Sequence, residues 1–481
     1  MNKIWSIVSG FKSEHVFIYL GIVFGVMFVF VTPPFQAPDE YNHFFRAYEI
    51  SQGHLLSVKI PRADVSQVYE NFPGSEASLN NYVVGSNLPA GLVDLANGVS
   101  HNIQGKISNK QSIDQILLHL KQKNPASNET GAQMFVNFPN TALYSPIPYI
   151  PQALGIAISR FLGTSPLMSL YTGRLFNLAF YICIIYFAVK TSPVLKNLMV
   201  SLALMPMSLF LSSSLSPDSM LIALSLLVFA ITLNLIQGDY INVKQVVIFI
   251  TVSASLALTK SAYFLLPMSL IATFFVKEKI LRKKHFLVTF VSFIVSILCV
   301  AIWQYFSQKL YIPLRNEVNP FMQLTYICTH PFTYLSSVAV SLIGYRHYLI
   351  TQFVGNFGWL DTPLSIPLVY SYMLFLALVT ICDTSKFFIS LRVRFSVFVI
   401  GIATSLLVIT MMFMSWSPVG NKVIDGLVGR YFIPVAPYVF VVFQNTKFAK
   451  YMKMVNAGTF GFITLFLSMS IYVLIKRFYI L

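Results

Sequence analysis

The stretch Thr32-Pro-Pro-Phe-Gln-Ala-Pro-Asp-Glu-Tyr-Asn-His-Phe-Phe-Arg-Ala47 separates the first long apolar run of the chain from its longest polar region. Because proline readily occupies the first helical position, we expect the proline before Asp39 to begin a helix. Asp39, His43 and Arg46 would then share one face of it, since residues three and four apart are neighbours. Asp39 and Glu40 would lie in its first turn, where the helix dipole favours negative charge. The stretch therefore predicts an acidic helix where the chain has just left a membrane.

The composition is typical of a polytopic membrane protein. Of the 481 residues, 56% are hydrophobic and only 10% are charged, whereas soluble domains have about 25% charged residues. The net charge of +16 does not predict nucleic-acid binding, because the lysines and arginines cluster in short loops that we expect on the cytoplasmic side. No close cysteine spacing indicates a disulfide framework or a metal site.

We predict an all-α, polytopic transmembrane helical bundle of about 11–13 spans with a large first extracytoplasmic loop. The basic residues Lys3 and Lys12 precede the first span, so we expect a cytoplasmic N-terminus. The predicted divisions are a first span at 1–33, an extracytoplasmic loop with interfacial helices at 34–166, a transmembrane bundle at 167–306, a second extracytoplasmic segment at 307–365 and C-terminal spans at 366–481.

Two apolar segments are too short or too rich in proline to be predicted as ordinary spans. We expect 151–162 to lie flat on the membrane, because a crossing there would invert every later basic loop. The segment 332–345 is expected to lie on the outer interface or to re-enter the membrane. Further spans are predicted at positions that include 196–213 and 430–445. An odd number of spans places Lys476 and Arg477 outside, against the charge rule, and a missed span or a re-entrant element would explain them.

Several charged residues converge on the outer face in this topology. Transfer of a sugar from a lipid-phosphate donor needs a carboxylate to take the acceptor proton, and positive charge or a metal for the departing phosphate. Asp39 is the candidate base, with Glu40 as its partner, although both acids would also suit a simple helix cap. Asp218 is a candidate metal ligand or an N-terminal helix acid. Candidates for binding donor phosphate or substrate are His43, Arg46, Arg174, Lys260, Tyr263 and Arg430.

The absence of several sequence motifs weighs against some classes of protein. The chain has no Gly-rich phosphate loop of the Walker type and no dinucleotide fingerprint. It also lacks His-Glu-x-x-His and Gly-x-Ser-x-Gly. These observations weigh against an ATP-driven pump and a serine hydrolase.

Arg46 has an alternative to binding phosphate as a bidentate fork, because it could instead pair with Asp39 or Glu49 on the same helix.

The chain resembles a bacterial family of multi-spanning membrane proteins of unknown function (DUF2142-like) that is related to the GT-C glycosyltransferases. The matching segments are 33–48, Tyr144-Ser-Pro-Ile-Pro-Tyr-Ile-Pro-Gln152, Ser214-Leu-Ser-Pro-Asp218, Val354-Gly-Asn-Phe-Gly-Trp-Leu-Asp361 and Gly429-Arg-Tyr-Phe-Ile-Pro434. The resemblance implies a GT-C fold in the bacterial inner membrane. It also implies inverting transfer from a polyprenyl-phosphate sugar to a cell-envelope glycan or lipid on the extracytoplasmic face.

The same resemblance places the catalytic acid in the first outer loop, at Asp39 with Glu40 beside it. Asp218 matches an acidic position that resembles a metal or donor site in similar enzymes. Because the two acids in the loop are adjacent here rather than spaced, dependence on a divalent cation such as Mg or Mn stays open.

Two other functions stay open. A glycan polymerase or ligase would use a polyprenyl-diphosphate oligosaccharide and would depend on Arg346 or Arg430 rather than on Asp39. A lipid-glycan flippase or transporter would carry broken helices and charges at the membrane midplane. The charges of this chain are predicted at one face, which favours the enzyme.

Overall fold

The chain leaves its first span through a tight turn. The computed structural model describes residues 12–70, 80–100, 102–122, 132–313, 315, 317–383 and 389–480, so Lys3 lies outside the described residues. Helix α1 (Ser13–Val31) ends before the turn, and helix α2 (Glu40–Ser51) follows it. Asp39 occupies the N-cap position of α2 with a φ of 58°, in the left-handed region that aspartate tolerates better than most residues. Its C=O accepts the N–H of His43 at 3.0 Å, and the helix begins at Glu40, two residues later than predicted.

The first loop, residues 32–165, folds into a small mixed subdomain. Its strands are β1 (Val58–Pro61), β2 (Val68–Tyr69), β3 (Tyr82–Pro89) and β4 (Gln133–Asn137). They form a sheet in the order β1-β3-β4-β2, with β3 antiparallel to both neighbours and β2 parallel to β4. The further helices of the loop are α3 (Ala90–Gly98), α4 (Ile113–Lys121), α5 (Pro139–Ala142) and α6 (Ile150–Phe161). This sheet is a feature that the sequence analysis did not predict.

Helix α6 confirms the predicted short helix at the end of the loop. It has 12 residues, which at about 1.5 Å per residue is too short to cross a hydrocarbon layer of about 30 Å.

The remaining helices form the bundle. They are α7 (Pro166–Thr191), α8 (Lys196–Ala203), α9 (Pro206–Ser212), α10 (Asp218–Gln237), α11 (Val243–Thr259), α12 (Lys279–Ser307), α13 (Pro320–Thr329), α14 (Pro331–Gly344), α15 (Arg346–Val354), α16 (Ile366–Cys382), α17 (Leu391–Trp416), α18 (Ala436–Phe440) and α19 (Met452–Phe478). A long 3-10 helix, Ser261–Phe275, follows α11, and a short one, Gly429–Phe432, precedes α18. Strands β5 (Asn356–Phe357) and β6 (Thr362–Pro363) pair as a small hairpin.

The all-α membrane bundle is confirmed, but the number of span-length helices differs from the predicted 11–13. Among the described residues six helices are long and apolar enough to cross a membrane, namely α1, α7, α10, α12, α17 and α19. A seventh span results if α13 and α14, which meet at 108°, are one broken crossing. Helices α11 and α16 and the 3-10 helix Ser261–Phe275 are apolar but shorter. The bend falls before Pro331, since proline disfavours helical backbone in the preceding residue, and it fits the predicted interfacial or re-entrant segment.

Prolines break two of the predicted spans. The predicted span at 196–213 is divided into α8 and α9, with Pro206 at the start of α9. The predicted span at 430–445 is divided into short 3-10 segments and the five-residue α18, with Pro437 in its first turn. Because proline lacks a backbone N–H and clashes with the preceding turn, neither segment continues as one straight helix.

Helix α10 lies at the centre of the bundle. A helix that is apolar on all sides is expected to be buried, and 83% of its most apolar window is buried. It packs against α7, α11 and the 3-10 helix Ser261–Phe275. This packing fixes the position of Asp218, the first residue of α10, at the end of the bundle nearest the first loop.

The end of the last helix lies against the first loop. Arg477 of α19 pairs with Asp361 at 2.8 Å, and its guanidinium also donates to carbonyls of the loop, including that of Asn109 at 3.2 Å. The N–H of Gln111 donates to the carbonyl of Phe478 at 2.7 Å. Arg477 therefore lies at the same end of the bundle as the first loop, and its charge is paired there with Asp361.

The opposite end of the bundle carries the start of α1. There Ser13 donates to Asn197 at 2.9 Å, and the N–H of Leu198 donates to Asp383 at 3.0 Å. The two ends of the bundle therefore have separate, identifiable sets of polar contacts.

Candidate functional site

An ion triad centred on Asp218 lies where the bundle meets the first loop. One carboxylate oxygen of Asp218 is 3.5 Å from Nζ of Lys260, and the other is 3.2 Å from Nε of Arg430. Asp218 begins α10, Lys260 connects α11 to the following 3-10 helix, and Arg430 belongs to the 3-10 helix Gly429–Phe432. Three segments distant in sequence thus converge, as the sequence analysis predicted.

The ring of Tyr431 holds the two cations of the triad together. Nζ of Lys260 lies 3.7 Å from the ring centroid, and Cζ of Arg430 lies 5.4 Å from it, both within the range of cation–π attraction. The hydroxyl of Tyr263 donates to the backbone carbonyl of Tyr431 at 2.7 Å. Tyr263, predicted as a binding residue, therefore fixes the backbone that carries this ring.

Asp39 belongs to the same charged cluster. Its half-buried carboxylate accepts from the amide of Asn140 at 3.5 Å. Burial raises the pKa of Asp39 above its ordinary value, and the charge of Asp218 raises it further, whereas Arg430 and Lys260 lower it. Its left-handed backbone is the kind of strain that proteins keep at functional sites. Asp39 is thus a carboxylate with a raised pKa that interacts with both cations of the triad.

His43 is a neutral group beside this cluster. It is buried, and its Nδ1 lies 2.8 Å from the hydroxyl of Tyr149. Burial lowers the pKa of His43 to about 3, and the cations Arg430 and Lys260 lower it as well. At neutral pH the imidazole therefore supplies no positive charge for a phosphate, and its remaining capacity is hydrogen bonding.

Glu40 and Arg174 form a fully buried ion pair outside the charged cluster. Arg174 donates to both carboxylate oxygens of Glu40, at 2.8 and 2.6 Å. Its remaining N–H groups donate to the carbonyls of Val29, Thr32 and Pro33. Because all five N–H groups are engaged, Arg174 is placed to hold the turn after α1 rather than a phosphate.

Glu40 also connects the segments that carry the two acids of the cluster, Asp39 and Asp218. Oε1 of Glu40 accepts the backbone N–H of Leu215, three residues before Asp218, at 3.2 Å. Glu40 is therefore a structural neighbour of Asp39 rather than a second catalytic acid, because its carboxylate is directed at Arg174.

Arg46 is also engaged inside the first loop. Its guanidinium donates to Glu49 at 2.5 Å, to the carbonyl of Leu55 at 2.7 Å and to the carbonyl of Tyr144 at 3.2 Å. The side chain is fully buried. The alternative pairing with Glu49 is therefore the observed one, and the predicted phosphate-binding role does not fit.

The residues of the cluster do not fit a divalent metal. Both oxygens of Asp218 face cations, which would repel Mg or Mn at the same carboxylate. In the part of the chain that the structure describes, no group of three or more His, Cys, Asp or Glu side chains is arranged to hold a metal. We therefore do not propose a metal at Asp218.

A cavity of about 430 Å³ opens beside Lys260. Its walls come from the end of α11, the end of α12 and the segment 143–145 of the first loop. Trp303 of α12 lines it and donates its Nε1–H to the carbonyl of Leu143 at 2.9 Å. The cavity therefore extends from the charged side chain of Lys260 to apolar side chains of α11 and α12.

The sequence analysis missed several residues of this site. Tyr149 and Tyr431 lie within segments that it singled out, so their proximity to His43 and Arg430 in sequence was an available signal. Asn140 and Trp303 had no comparable signal, because only the folded chain brings them to Asp39 and to the cavity.

Comparison with known proteins identifies the family. The family model described as predicted membrane protein (DUF2142) matches residues 22–439. The chain belongs to this family. The match extends over the first loop, the central helix α10 and the Arg430 segment, and so includes every residue of the charged cluster. Comparisons with curated proteins and with solved structures found no match.

Proposed function

We propose that this DUF2142 protein is an inverting membrane glycosyltransferase of GT-C type. It would transfer a sugar from a polyprenyl-phosphate donor to a cell-envelope glycan or lipid on the extracytoplasmic face of the bacterial inner membrane. The observation that carries the proposal is the charged cluster of Asp39, Asp218, Lys260 and Arg430 beside a cavity walled by membrane helices. Such a site offers a base, cations and access for a lipid in one place.

Each residue has a defined part in the proposed reaction. The acceptor hydroxyl oxygen attacks the anomeric carbon of the sugar, and the bond from that carbon to the phosphate oxygen breaks. Asp39 takes the proton of the hydroxyl. The carrier phosphate leaves with one more negative charge than it had in the donor, and Lys260 and Arg430 would stabilise it. Asp218 holds the two cations in place, since it is the carboxylate that faces both.

The charge of the cluster favours a monophosphate donor over a diphosphate one. When Asp39 is ionised, as a general base must be, two carboxylates and two cations balance each other, and His43 is neutral. A sugar joined to its carrier by one phosphate brings a single negative charge into this balance, whereas a diphosphate linkage brings two. This supports transfer of a single sugar over a polymerase or ligase that uses diphosphate-linked oligosaccharides.

The test is glycan analysis of cell envelopes from a deletion strain that carries either the wild-type gene or Asp39→Asn, at matched membrane expression. We expect one sugar modification to be lost in the deletion strain, restored by the wild type and not restored by Asp39→Asn. Asp94→Asn is the matched control, because it makes the same change at an exposed acid of the same loop.

Full restoration by Asp39→Asn would refute the assignment of the base. If Arg346→Ala or Arg430→Ala then abolished the glycan, the polymerase or ligase would be favoured. Transport of a lipid-linked glycan into proteoliposomes without sugar transfer would instead identify a flippase.

A further inference from the structure

The cavity beside Lys260 has more polar groups than a lipid chain requires. Gln304 lies in the last turn of α12 and Gln308 directly follows this helix, and both line the cavity together with Tyr311 and Trp303. Both glutamines are exposed, and each side-chain amide both donates and accepts hydrogen bonds. A pair of amides with this capacity matches the neighbouring hydroxyls of a sugar ring.

The aromatic wall of the cavity has a fixed orientation. Because the Nε1–H of Trp303 is bonded to the carbonyl of Leu143 at 2.9 Å, the indole presents a defined apolar surface. The C–H face of a pyranose can pack against such a ring while its hydroxyls reach the amides. The cavity volume of about 430 Å³ lies within the range of small-molecule sites, about 300–1,000 Å³.

The charges at the cavity limit which sugar it can take. Among its described lining residues Lys260 is the one with a formal charge, and it is paired with Asp218. An amino sugar would find no carboxylate among these lining side chains. A uronic acid would compete with the donor phosphate for Lys260, the one cation of this lining.

We propose that this cavity binds the sugar of the lipid-linked donor, that the sugar is uncharged, and that Gln304 and Gln308 recognise its hydroxyls. The inference rests on the proposed function, since it assigns the sugar position of the same site. It also separates two contributions to donor binding: Lys260 contacts the phosphate and the two glutamines contact the sugar.

The test measures binding to the purified full-length protein in detergent, by calorimetry and without any transfer step. The ligands are a short-chain polyprenyl-phosphate hexose and the methyl ester of the same polyprenyl phosphate, which keeps the single negative charge but lacks the sugar. For the wild type we expect the hexose ligand to bind about tenfold more tightly than the methyl ester, because two hydrogen-bonding side chains contact it. In Gln304→Leu/Gln308→Leu this ratio should fall to about one while affinity for the methyl ester stays the same.

Gln115→Leu, a change of an exposed glutamine in α4, is the matched control and should keep the wild-type ratio. Charged analogues carrying a uronic acid or an amino sugar should bind no more tightly than the methyl ester. A ratio that survives in the double variant, tighter binding of a charged sugar, or failure of the neutral hexose ligands to bind would each overturn the inference. Loss of the ratio in the double variant, together with a wild-type protein that transfers no sugar, would support the sugar site and refute the glycosyltransferase.

Discussion

Asp39 combines a raised pKa with a position next to cations, and this combination predicts the pH dependence of the proposed sugar transfer. A carboxylate accepts a proton only when it is ionised, so activity should fall as the pH decreases through the pKa of Asp39. Because burial raises that pKa, we expect the midpoint of the acid limb above the ordinary aspartate value of about 3.9. Transfer by reconstituted protein, measured between pH 4 and 9, gives this midpoint directly.

His43 provides the control for this profile. Burial lowers its pKa to about 3, so its charge changes mainly below the measured range and His43→Gln should leave the midpoint of the acid limb in place. An acid limb with its midpoint near pH 6.5 in the wild type, absent from His43→Gln, would instead identify His43 as the titrating base.

The buried pair of Glu40 and Arg174 leads to a prediction about stability. Glu40→Gln leaves the guanidinium of Arg174 buried without its counter-charge, and removing one partner of a buried ion pair costs about 3–5 kcal/mol of unfolding free energy. Glu40→Gln/Arg174→Met should regain a large part of that loss, because the unpaired charge is removed as well. Chemical unfolding in detergent, followed by circular dichroism, measures both.

The partly exposed pair of Glu14 and Lys196, 4.0 Å apart, is the matched control for the buried one. Glu14→Gln should cost about 0–1 kcal/mol. Equal losses for Glu14→Gln and Glu40→Gln would show that the buried pair contributes nothing beyond an ordinary surface contact.

At the level of single residues, the sequence predicted which charges lie on one side but not how they pair. Five charged residues were expected together at the outer ends of apolar runs, namely Asp39, Arg174, Asp218, Lys260 and Arg430. The structure brings all of them except Arg174 into one cluster. The pairing of Arg174 with Glu40 was not predictable, because adjacent acids in a turn point in different directions and only the folded backbone decides which one a distant arginine meets.

The hairpin of β5 and β6 is the element that connects the turn bearing Asp39 to the rest of the bundle. Trp359 at its tip donates its Nε1–H to the carbonyl of Phe35 at 3.0 Å. The ring of Phe35 stacks on that of Tyr41 at 4.3 Å. Asp361 of the same hairpin is held by Arg477 at 2.8 Å. The hairpin is therefore a second support of the turn, besides the ion pair of Glu40 and Arg174.

Removing the Trp359 hydrogen bond should affect the reaction more than substrate binding. Trp359→Phe keeps an aromatic ring but loses the N–H donor to the carbonyl of Phe35, so the turn that carries Asp39 gains freedom. Because a small misplacement of a catalytic group is costly, we expect kcat to fall about tenfold with KM within about twofold. Steady-state transfer assays separate the two constants.

Trp416→Phe is the control for this variant, because Trp416 packs against Arg315 at the end of α17 and should leave kcat unchanged. A rise in KM with kcat preserved in Trp359→Phe would place this tryptophan in substrate binding instead of in positioning the turn.

At the level of elements, the sequence predicted long apolar helices well and irregular ones poorly. Long helices such as α10 and α17 can be predicted from their apolar composition alone. The breaks at Pro206 and in the Arg430 segment had a visible cause in proline, yet an apolar window of about 20 residues averages over such a break. The sheet of the first loop was not predicted, because its strands are short and pair with strands that are distant in sequence, as β3 does with β1 and β4.

The arrangement of the whole molecule predicts that the two ends of the described chain lie on opposite sides of the membrane. Arg477 and Phe478 contact the first loop, whereas Ser13 contacts Asn197 at the other end of the bundle. We expect Lys476→Cys in a cysteine-free background to react with an impermeant maleimide in whole cells, together with Asp94→Cys of the first loop. Lys196→Cys should react only after permeabilisation. The three positions are exposed or half-buried, so labelling reports the side of the membrane.

Labelling of Lys476→Cys together with Lys196→Cys would contradict the docking of α19 on the first loop. It would also remove the support that Arg477 gives to the hairpin and, through Trp359, to the turn of Asp39.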